Sequence, residues 1–545
     1  MKVTRIIGGA GTGKTRTIIA ALEKAMSLPE VGRNPYVLGF SSFTRAARGE
    51  AAERAANAWG IDKNTLEKHG WFKTVHSVAY RQIGVESGQV ITSKKDDMEW
   101  LSNALGSDIG LKIDDSNELG MYLGDDVAAK ALNYWSTARS MMVPLREIVD
   151  RDPEVGYAEV LQRVELYERA KLLESRIDFT DMLSRFAGVA YEPDGGPIIV
   201  SPEGSVPNEV VGWMFDEAQD ASALIDRACK RLVTGEACQW CYLVGDPFQV
   251  LYGWSGANSK YFMAWDAEQR VMPKSYRCAK PILDLGERCI ERMPKGYWNR
   301  EIQSADHSGS VEESDDIDDN LSSLNPADEW LVLARTNYLL RGIEIKLREA
   351  GVPFKSLKAK ESRTIKDLGR AGLWKLQRGS VITGEEWSGV LDVLPSKAVG
   401  GDTLLERGTK SQWKNGKSED YDAVTLDDLP QLGATYRMRE IVASGGWPAF
   451  VEGGDSFYRS ASKWGVDLVA EPKIRTGTIH SAKGKEADNV LLLTSMGKRF
   501  SDAANENEET RCEECRVNYV AVTRARRRLV LADDPRERKY RMDIY

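Results

Sequence analysis

Short apolar runs alternate along this 545-residue chain with longer runs that have helical spacing. Runs that predict buried β-strands lie at residues 3–7, 36–40, 210–215 and 242–244. Behind the first run, Ile18, Leu22 and Met26 recur at the spacing of one helix face. The pattern therefore predicts that the chain opens with a buried strand and a helix, and that further buried strands follow.

Two long stretches depart from this pattern. Residues 81–180 show mainly helical periodicity, which predicts a helical insertion. Residues 361–470 carry no motif and are rich in glycine and serine. We expect the tryptophans of this second stretch to be exposed, at Trp374, Trp387 and Trp413. We expect the acidic residues 312–319 to form a solvated linker rather than a binding site.

The first strand leads into residues 8–15, Gly-Gly-Ala-Gly-Thr-Gly-Lys-Thr, which fit the P-loop pattern G-x-x-x-x-G-K-[ST]. In such a loop, backbone N–H groups and the positive end of the following helix face a phosphate. Lys14 would reach the β- and γ-phosphates, and Thr15 would bind Mg²⁺. The strand and helix flanks argue against a glycine-rich turn without function. We expect the nucleotide to contact Gly8, Ala10, Gly11, Thr12, Gly13, Lys14 and Thr15.

An acidic pair ends the third apolar run. Asp216 would hold Mg²⁺, while Glu217 would orient and deprotonate the attacking water. Acidic residues after strands are common, but this pair lies downstream of a P-loop. After the next strand, Gln249 is placed to sense the γ-phosphate. The sequence therefore predicts that the bound nucleotide is hydrolysed.

Polar residues that suit a phosphodiester backbone follow the second strand. They are Ser42, Phe43, Thr44 and Arg45. A polar turn before an alanine-rich helix explains them equally well. Further on, Thr74 and His76 lie at what we expect to be another strand end, although a lone histidine is more often structural.

Two aromatic residues follow Gln249 closely. Tyr252 and Trp254 offer flat faces on which bases could stack. Packing in the protein core is the alternative for both, and without further context it is favoured. The sequence leaves the two alternatives open.

Composition restricts the class of protein. Hydrophobic residues make up 42% and charged residues 29%, which is ordinary for a globular protein of several domains. No run of about 18 apolar residues is present, so we expect no transmembrane helix. The net charge of −8 argues against a protein coated in basic surface, although a local basic groove could still bind a polyanion. We expect a cytoplasmic protein, nucleoid-associated or, if phage-encoded, in the host cytoplasm.

The seven cysteines are too few for a disulfide framework and indicate a reducing compartment. Cys238 with Cys241 and Cys512 with Cys515 have the spacing of a four-thiolate metal site. However, Cys241 lies inside a predicted strand, and about 270 residues separate the pairs. Buried or incidental thiols are therefore the favoured interpretation.

Later segments complete a set of motifs in a fixed order. They are Lys-Ser-Tyr-Arg-Cys at 274–278, Val-Leu-Ala-Arg-Thr-Asn at 332–337, Thr-Ile-His-Ser-Ala-Lys-Gly-Lys-Glu at 478–486 and Asn-Tyr-Val-Ala-Val-Thr-Arg-Ala-Arg at 518–526. Together with the P-loop and the acidic pair, they resemble the UvrD/Rep/PcrA family of superfamily 1 helicases. The motif-bearing blocks cover roughly half of the chain, and the joint match is specific.

The resemblance implies an α/β fold with two RecA-like P-loop NTPase domains, each with a parallel sheet and an accessory insertion. The first domain (1A) would comprise 1–80 and 181–274, with a helical 1B-like insertion at 81–180. The second domain (2A) would comprise 275–360 and 471–545, with a reduced 2B-like insertion at 361–470. ATP would bind in the cleft between the two domains, with single-stranded DNA across their top.

The resemblance also implies roles for individual residues. Arg277 and Arg524 would be arginine fingers from the second domain, acting on the γ-phosphoryl group with Lys14, Asp216, Glu217 and Gln249. Tyr276 and Arg16 would hold the adenine between them, and Glu486 would help to bind the nucleotide. DNA contacts would come from Ser42, Phe43, Thr44, Arg45, Thr74, His76, Tyr252, Trp254, Arg335, Asn337 and His480.

The family implies an ATP- and Mg²⁺-dependent DNA helicase that moves 3′ to 5′ on single-stranded DNA and acts at junctions of single and double strands. A second hypothesis keeps the motor but replaces processive unwinding with removal of proteins from DNA or remodelling of recombination intermediates. A third is a nucleotide-gated DNA-binding scaffold with little turnover. The complete set of hydrolytic residues argues against the third. No membrane partner is expected, and the sequence does not identify protein partners.

Overall fold

The structure is a computed structural model that describes residues 1–42, 45–114, 117–124, 127–152, 154–358, 365–398, 401–414, 423–534 and 540–544. Its backbone forms two compact units. Unit 1 comprises Met1–Arg277 and Gly296–Ala305. Unit 2 comprises Cys278–Lys295 and Asp306–Tyr545. These borders differ from those expected from the sequence, which remain a prediction for the functional domains.

Unit 1 is built on a parallel sheet of six strands. Its strands are β1 (Lys2–Ile7), β2 (Leu38–Ser42), β3 (Trp71–Phe72), β4 (Gly110–Asp114), β5 (Asn117–Leu123), β6 (Val189–Glu192), β7 (Gly196–Ile199), β8 (Gly212–Asp216), β9 (Trp240–Gly245) and β10 (Glu268–Val271). The six-stranded sheet has the order β10-β1-β9-β8-β2-β3, and all its neighbouring pairs are parallel. The pairs β4-β5 and β6-β7 form antiparallel hairpins.

The helices of unit 1 are α1 (Lys14–Ala25), α2 (Arg45–Trp59), α3 (Lys63–His69), α4 (Val75–Ile83), α5 (Lys95–Leu105), α6 (Val127–Met141), α7 (Leu145–Val149), α8 (Tyr157–Leu173), α9 (Phe179–Ala187), α10 (Ala223–Leu232) and α11 (Ser259–Met263). Side chains of β8 alternate between two cores: Trp213 and Phe215 pack in one, Met214 in the other. Both faces of the sheet are therefore covered, as a parallel sheet requires.

Residues 81–180, expected to be a helical insertion, contain α5 to α8 and the hairpin β4-β5. Their apolar side chains form a separate core around Leu132 and Trp135. The helix α9, which follows, begins at Asp178 with a reciprocal capping box: Asp178 accepts from the backbone N–H of Asp181, and Asp181 accepts from that of Asp178. After α9 and the hairpin β6-β7, the chain rejoins the six-stranded sheet at β8.

Unit 2 contains the second parallel sheet. Its strands are β11 (Ser310–Ser314), β12 (Trp330–Ala334), β13 (Lys355–Ser356), β14 (Ile474–Thr478), β15 (Ala487–Leu493) and β16 (Ala525–Ala532). They have the order β11-β16-β15-β12-β14-β13, and all neighbouring pairs are parallel. The two sheets confirm the α/β class and are consistent with two RecA-like domains.

The helices of unit 2 are α12 (Lys280–Glu291), α13 (Ile317–Ser323), α14 (Asn337–Glu349), α15 (Ile365–Gln377), α16 (Gly384–Val393), α17 (Thr409–Lys414), α18 (Tyr436–Ser444), α19 (Gly454–Trp464), α20 (Val466–Ala470), α21 (Lys498–Glu506) and α22 (Glu508–Val522). Helices α15 to α20 share a core of their own, in which Trp374, Trp387 and Trp413 are buried. The expectation that these tryptophans are exposed was wrong. Polar residues flank them in the sequence, so the apolar helix faces were not recognised as such.

The acidic residues 312–319 are mostly exposed to solvent, as expected, but they belong to a strand and a helix start rather than to a linker. Glu312 lies in β11 and makes a bidentate pair with Arg528 of the neighbouring strand β16. Asp316 accepts hydrogen bonds from the backbone N–H groups of Asp318 and Asp319 and so caps α13. The carboxylates therefore stabilise a strand edge and a helix start. Within the described part of the chain, no helix combines the length and apolar character needed to cross a bilayer.

Candidate nucleotide site and nucleic-acid interface

The glycine-rich loop joins β1 to α1 and depends on glycine at specific positions. Gly13 adopts a left-handed conformation, with φ of 82°, as the residue that begins α1. Gly11 also has a positive φ of 69°, and a Cβ there would lie 2.2 Å from the Cβ of Arg277. Since an L-residue at either position would be strained, the loop geometry requires glycine.

The loop holds its polar side chains close to its own backbone. The Lys14 ammonium group donates to the carbonyl of Gly8 at 3.1 Å, and the Thr12 hydroxyl donates to the carbonyl of Gly9 at 3.0 Å. No side chain of the described residues caps α1 at Gly13, and its first turn contains no acidic residue. The amide groups at this helix end therefore suit an anion such as a phosphate.

Asp216 ends β8 as a buried carboxyl group. The backbone N–H of Glu217 donates to its Oδ1 at 2.9 Å, and Glu217 has a positive φ of 54°. Burial, reinforced by the neighbouring Glu217 carboxylate and partly offset by Lys14, raises the pKa of Asp216 to about 7. Such a site favours a cation, and with the Thr15 hydroxyl it offers the oxygen ligands that Mg²⁺ prefers. The donor set therefore fits the predicted metal.

Gln219 links the acidic pair to the loop after β9. Its Nε2 donates to Glu217 Oε2 at 2.5 Å, and its Oε1 accepts from the backbone N–H of Asp246 at 3.0 Å. Gly245 allows this approach, since a Cβ there would lie 2.3 Å from Gln219 Oε1. Gln219 was not among the residues predicted for the site, although its position two residues after Glu217 was a signal.

Asp246 in turn holds Gln249. The Gln249 Nε2 donates to Asp246 Oδ2 at 2.8 Å, and both side chains are buried. Four residues from two loops, Glu217, Gln219, Asp246 and Gln249, thus form one hydrogen-bonded chain beside the P-loop. The structure brings the predicted Glu217 and Gln249 into the same network.

Residues 275–277 lie against the glycine loop within unit 1. The Tyr276 backbone N–H donates to the Gly11 carbonyl at 2.8 Å, and the Ser275 hydroxyl donates to the Ala10 carbonyl at 2.7 Å. The Tyr276 ring is 69% exposed and is the nearest group to a Cβ built on Gly13, at 4.0 Å. Arg16 is exposed in the first turn of α1. We predicted that Tyr276 and Arg16 hold the adenine between them, and this stays a prediction.

Arg277 belongs to the same compact unit as the P-loop, with its Cβ packed towards Gly11. The family resemblance implied that Arg277 lies in the second domain. The difference arises because the division between the units falls after Arg277 rather than before Ser275. Its role as an arginine finger stays a prediction.

The two aromatic residues after Gln249 differ in exposure, so core packing suits one of them and base stacking suits the other. Tyr252 is 8% exposed and packs in a small cluster with Val250 and Ala257. Trp254 is 55% exposed in a short 3₁₀ turn. Core packing therefore accounts for Tyr252, whereas Trp254 has the exposed flat face that base stacking needs.

The other nucleic-acid candidates of unit 1 are mostly buried. Thr74 caps α4, its hydroxyl accepting from the Ser77 backbone N–H at 3.2 Å, and His76 packs edge-on against Phe179. Ser42 is buried at the end of β2. Phe43 and Thr44 lie outside the described residues, as does the side chain of Arg45, although its backbone begins α2.

In unit 2, the predicted arginine finger Arg524 is buried and bonded to backbone carbonyls. Its Nε donates to Val520 at 2.9 Å and its Nη1 to Lys485 at 3.1 Å. The adjacent Glu486 forms an ion pair with Arg526 at 3.0 Å. These contacts connect the motifs at 478–486 and 518–526 within unit 2. The nucleotide roles of Arg524 and Glu486 stay predictions.

Three predicted DNA contacts lie at strand ends of unit 2. Arg335 makes a buried bidentate pair with Glu514, and its guanidinium group lies 4.2 Å from the Phe500 ring centroid. Asn337, exposed at the start of α14, accepts from the Lys358 ammonium group at 2.9 Å. His480 is half-buried just after β14. These contacts give Arg335 a structural function, and its DNA contact stays a prediction.

A cluster of carboxylates in unit 1 has the spacing of a metal site but is paired with two cationic side chains. Glu168, Asp178 and Asp181 lie close together, and Arg139 and Lys171 form ion pairs with all three. The cluster is therefore an ionic network between α6, α8 and α9. Among the described residues, no cysteine belongs to a group with metal-site spacing, and all seven cysteines are free thiols.

Comparison with known families gives matches to both halves of the chain. A family described as the UvrD/REP helicase N-terminal domain matches residues 2–269, and one described as the UvrD-like helicase C-terminal domain matches residues 462–533. These matches span the P-loop, the acidic pair and the motifs at 478–486 and 518–526.

Individual relatives are distant. The chain is 23% identical over 393 residues to the ATP-dependent DNA helicase PcrA of Staphylococcus epidermidis, covering 67% of this chain and 50% of the relative. It is 24% identical over 379 residues to the putative ATP-dependent DNA helicase YjcD of Bacillus subtilis, covering 64% and 46%. It is 23% identical over 393 residues to the ATP-dependent DNA helicase srs2 of Schizosaccharomyces pombe, covering 65% and 42%. The chain thus matches about half the length of these curated relatives.

Proposed function

Because this chain belongs to the UvrD/REP family of ATP-dependent DNA helicases, we propose that it uses ATP to move along single-stranded DNA and to unwind duplexes, 3′ to 5′. The observation that carries the proposal is the hydrogen-bonded chain from Glu217 through Gln219 and Asp246 to Gln249, next to the P-loop. It joins the group that would activate water to the group that would sense the γ-phosphate.

Each residue of the site has a role in this proposal. Lys14 and the loop amides bind the β- and γ-phosphates, and Glu217, held by Gln219, orients the attacking water. Thr15 and Asp216 would hold Mg²⁺, which would supply positive charge for the phosphate oxygens when bound. The Gln249 amide senses whether the γ-phosphate is present. Arg277 and Arg524 stabilise charge on the transferring group.

The DNA substrate of this proposal is single-stranded DNA and its junctions with duplex. Trp254 supplies the stacking surface in unit 1, because it is the exposed member of the aromatic pair. This proposal places the protein in the cytoplasm, where it would associate with the nucleoid. If the protein is phage-encoded, that cytoplasm is the host's.

The decisive experiment compares duplexes that carry a 3′ or a 5′ single-stranded tail. ATP hydrolysis with and without single-stranded DNA is measured beside strand separation and displacement of streptavidin from a biotinylated end. Separation of 3′-tailed duplexes that requires ATP supports the helicase proposal. DNA-stimulated hydrolysis with displacement but no strand separation would instead assign a motor that strips proteins. Nucleotide-dependent DNA binding without turnover would contradict both.

A further inference from the structure

Arg300 is a buried arginine that the motif analysis did not identify. It lies in the segment Gly296–Ala305, which belongs to unit 1, whereas the residues before and after it belong to unit 2. Its Nη1 donates to Asp246 Oδ1 at 2.7 Å, and both side chains are fully buried. A buried ion pair is weak evidence for stability alone, so its geometry needs another explanation.

The Asp246 carboxylate divides its oxygens between Arg300 and Gln249. Oδ1 accepts from Arg300 and, at 3.1 Å, from the backbone N–H of Phe248, while Oδ2 accepts from Gln249 Nε2 at 2.8 Å. The orientation of the carboxylate thus determines where the Gln249 amide lies. Because Arg300 bonds the opposite oxygen, it restrains that orientation.

The Arg300 side chain is itself fixed. Its guanidinium group lies 4.6 Å from the centroid of the Phe248 ring, and Phe248 also packs against Tyr297 and Trp298 of the same segment. A planar guanidinium can stack on a ring and donate in its plane at the same time, whereas an ammonium group offers no such plane. The site therefore suits arginine rather than lysine.

The segment has a second anchor beside the P-loop. The Ser275 backbone N–H donates to the Gln303 carbonyl, and the Gln303 N–H donates to the Pro273 carbonyl, each at 2.8 Å. Ser275 in turn donates its hydroxyl to Ala10 of the P-loop. One short segment thus contacts both the Asp246 loop and residues 273–275, which follow β10 and bond to the P-loop.

We propose that Arg300 is a positioning residue for ATP hydrolysis: through Asp246 it holds the Gln249 amide at the γ-phosphate. The inference rests on the proposed nucleotide hydrolysis and adds to it a residue that touches no substrate. The segment Gly296–Ala305, which is joined at both ends to unit 2, thereby contributes to the geometry of the catalytic loop in unit 1.

The test separates positioning from folding. Arg300→Lys should lower kcat of DNA-stimulated ATP hydrolysis about 10- to 100-fold, as expected for a misplaced catalytic group. The dissociation constant for a fluorescent ADP analogue should change less than about threefold, because the P-loop is untouched. Arg270→Lys is the matched control, since Arg270 forms an exposed pair with Glu268 on β10 and should leave kcat unchanged.

A mutant cycle with Gln249→Ala tests the route. If Arg300 acts through Gln249, Arg300→Lys with Gln249→Ala should be no slower than Gln249→Ala alone. If the two losses of kcat instead multiply in the double variant, the proposal is overturned. A folded Arg300→Lys protein with wild-type kcat would also overturn it. Lack of DNA-stimulated hydrolysis in the wild-type protein would instead contradict the proposed function.

A double variant tests the proposal in case a change at Arg300 alone destabilises the fold. Arg300→Met with Asp246→Asn removes both charges, so the melting temperature should return towards that of the wild type. We expect kcat to stay low, because the side chain at position 246 is no longer restrained. Recovery of both stability and kcat would show that the ion pair serves folding only.

Discussion

At the scale of single residues, the nucleotide site separates binding from hydrolysis. Lys14 lies in the loop that would surround the phosphates, whereas Glu217 lies after β8 and is oriented by Gln219. Removing the first should affect affinity, and removing the second should affect chemistry. The two side chains therefore provide a matched pair of variants.

We expect Lys14→Ala and Glu217→Gln both to abolish turnover, by different routes. The alanine variant should lose nucleotide affinity, because it removes the point charge on the β- and γ-phosphates. The glutamine variant should bind ATP normally and retain it, because only water activation is lost. Titration with a fluorescent ATP analogue and steady-state hydrolysis check this. An equal loss of affinity in both variants would contradict the assignment.

Trp254 gives a prediction about grip on DNA. Base stacking on an aromatic ring is worth about 1–3 kcal/mol per base, so Trp254→Ala should reduce unwinding more than basal hydrolysis. Since the side chain is 55% exposed, the melting temperature should hardly change. Tyr436→Ala, at an exposed aromatic residue of α18, is the control. Normal unwinding by a destabilised Trp254→Ala protein would show that the tryptophan is a core residue.

At the scale of elements, local patterns predicted the strands and loops that bind the nucleotide. The strand at residues 3–7 corresponds to β1 (Lys2–Ile7), and that at 210–215 to β8 (Gly212–Asp216), because buried parallel strands are rich in β-branched and other apolar residues. The P-loop and acidic pair have fixed spacing, so their place at strand ends followed directly.

Elements that depend on distant partners could not be predicted in this way. Glu312 looked like part of a solvated run, because its partner Arg528 is far along the chain. Arg300 carried no motif, and its partner Asp246 lies 54 positions away. Trp387 was expected to be exposed, because its neighbours in the core come from several helices. In each case the missing information was a long-range contact.

The ionic network between α6, α8 and α9 gives a prediction about stability at this scale. Burial disfavours the charged form of Asp178, but Arg139 and Lys171 outweigh it and hold the pKa of this carboxyl below its usual range. Asp178→Ala would remove the carboxylate oxygen that Arg139 and Lys171 both contact, together with the cap of α9. We therefore expect a loss of about 2–5 kcal/mol in the free energy of unfolding, the sum of a lost cap and a lost charged hydrogen bond. Urea denaturation measures it.

Asp62→Ala is the control for the network, because Asp62 caps α3 in the same way but is exposed. It should cost much less stability than Asp178→Ala. Equal losses in the two variants would show that the network adds nothing beyond helix capping.

At the scale of the whole molecule, the cysteines test the favoured interpretation of the two Cys-x-x-Cys pairs. Burial raises the pKa of Cys238 and of Cys515 to about 11, so both thiols should be protonated at pH 8. Because the thiolate is the reactive form, a thiol reagent should modify the native protein far more slowly than the protein unfolded in guanidinium. Reactivity should rise with pH towards 11. Zinc released on unfolding, or rapid modification at pH 8, would contradict protonated thiols that bind no metal.

The central claim is that ATP hydrolysis drives this chain along single-stranded DNA. Translocation can be measured directly by stopped-flow fluorescence on single strands of increasing length with a fluorophore at the 5′ end. We predict an ATP-dependent arrival signal whose delay grows in proportion to strand length, no such delay with a 3′ fluorophore, and no signal for Glu217→Gln. A signal independent of length, in a protein that hydrolyses ATP and binds DNA, would contradict the account.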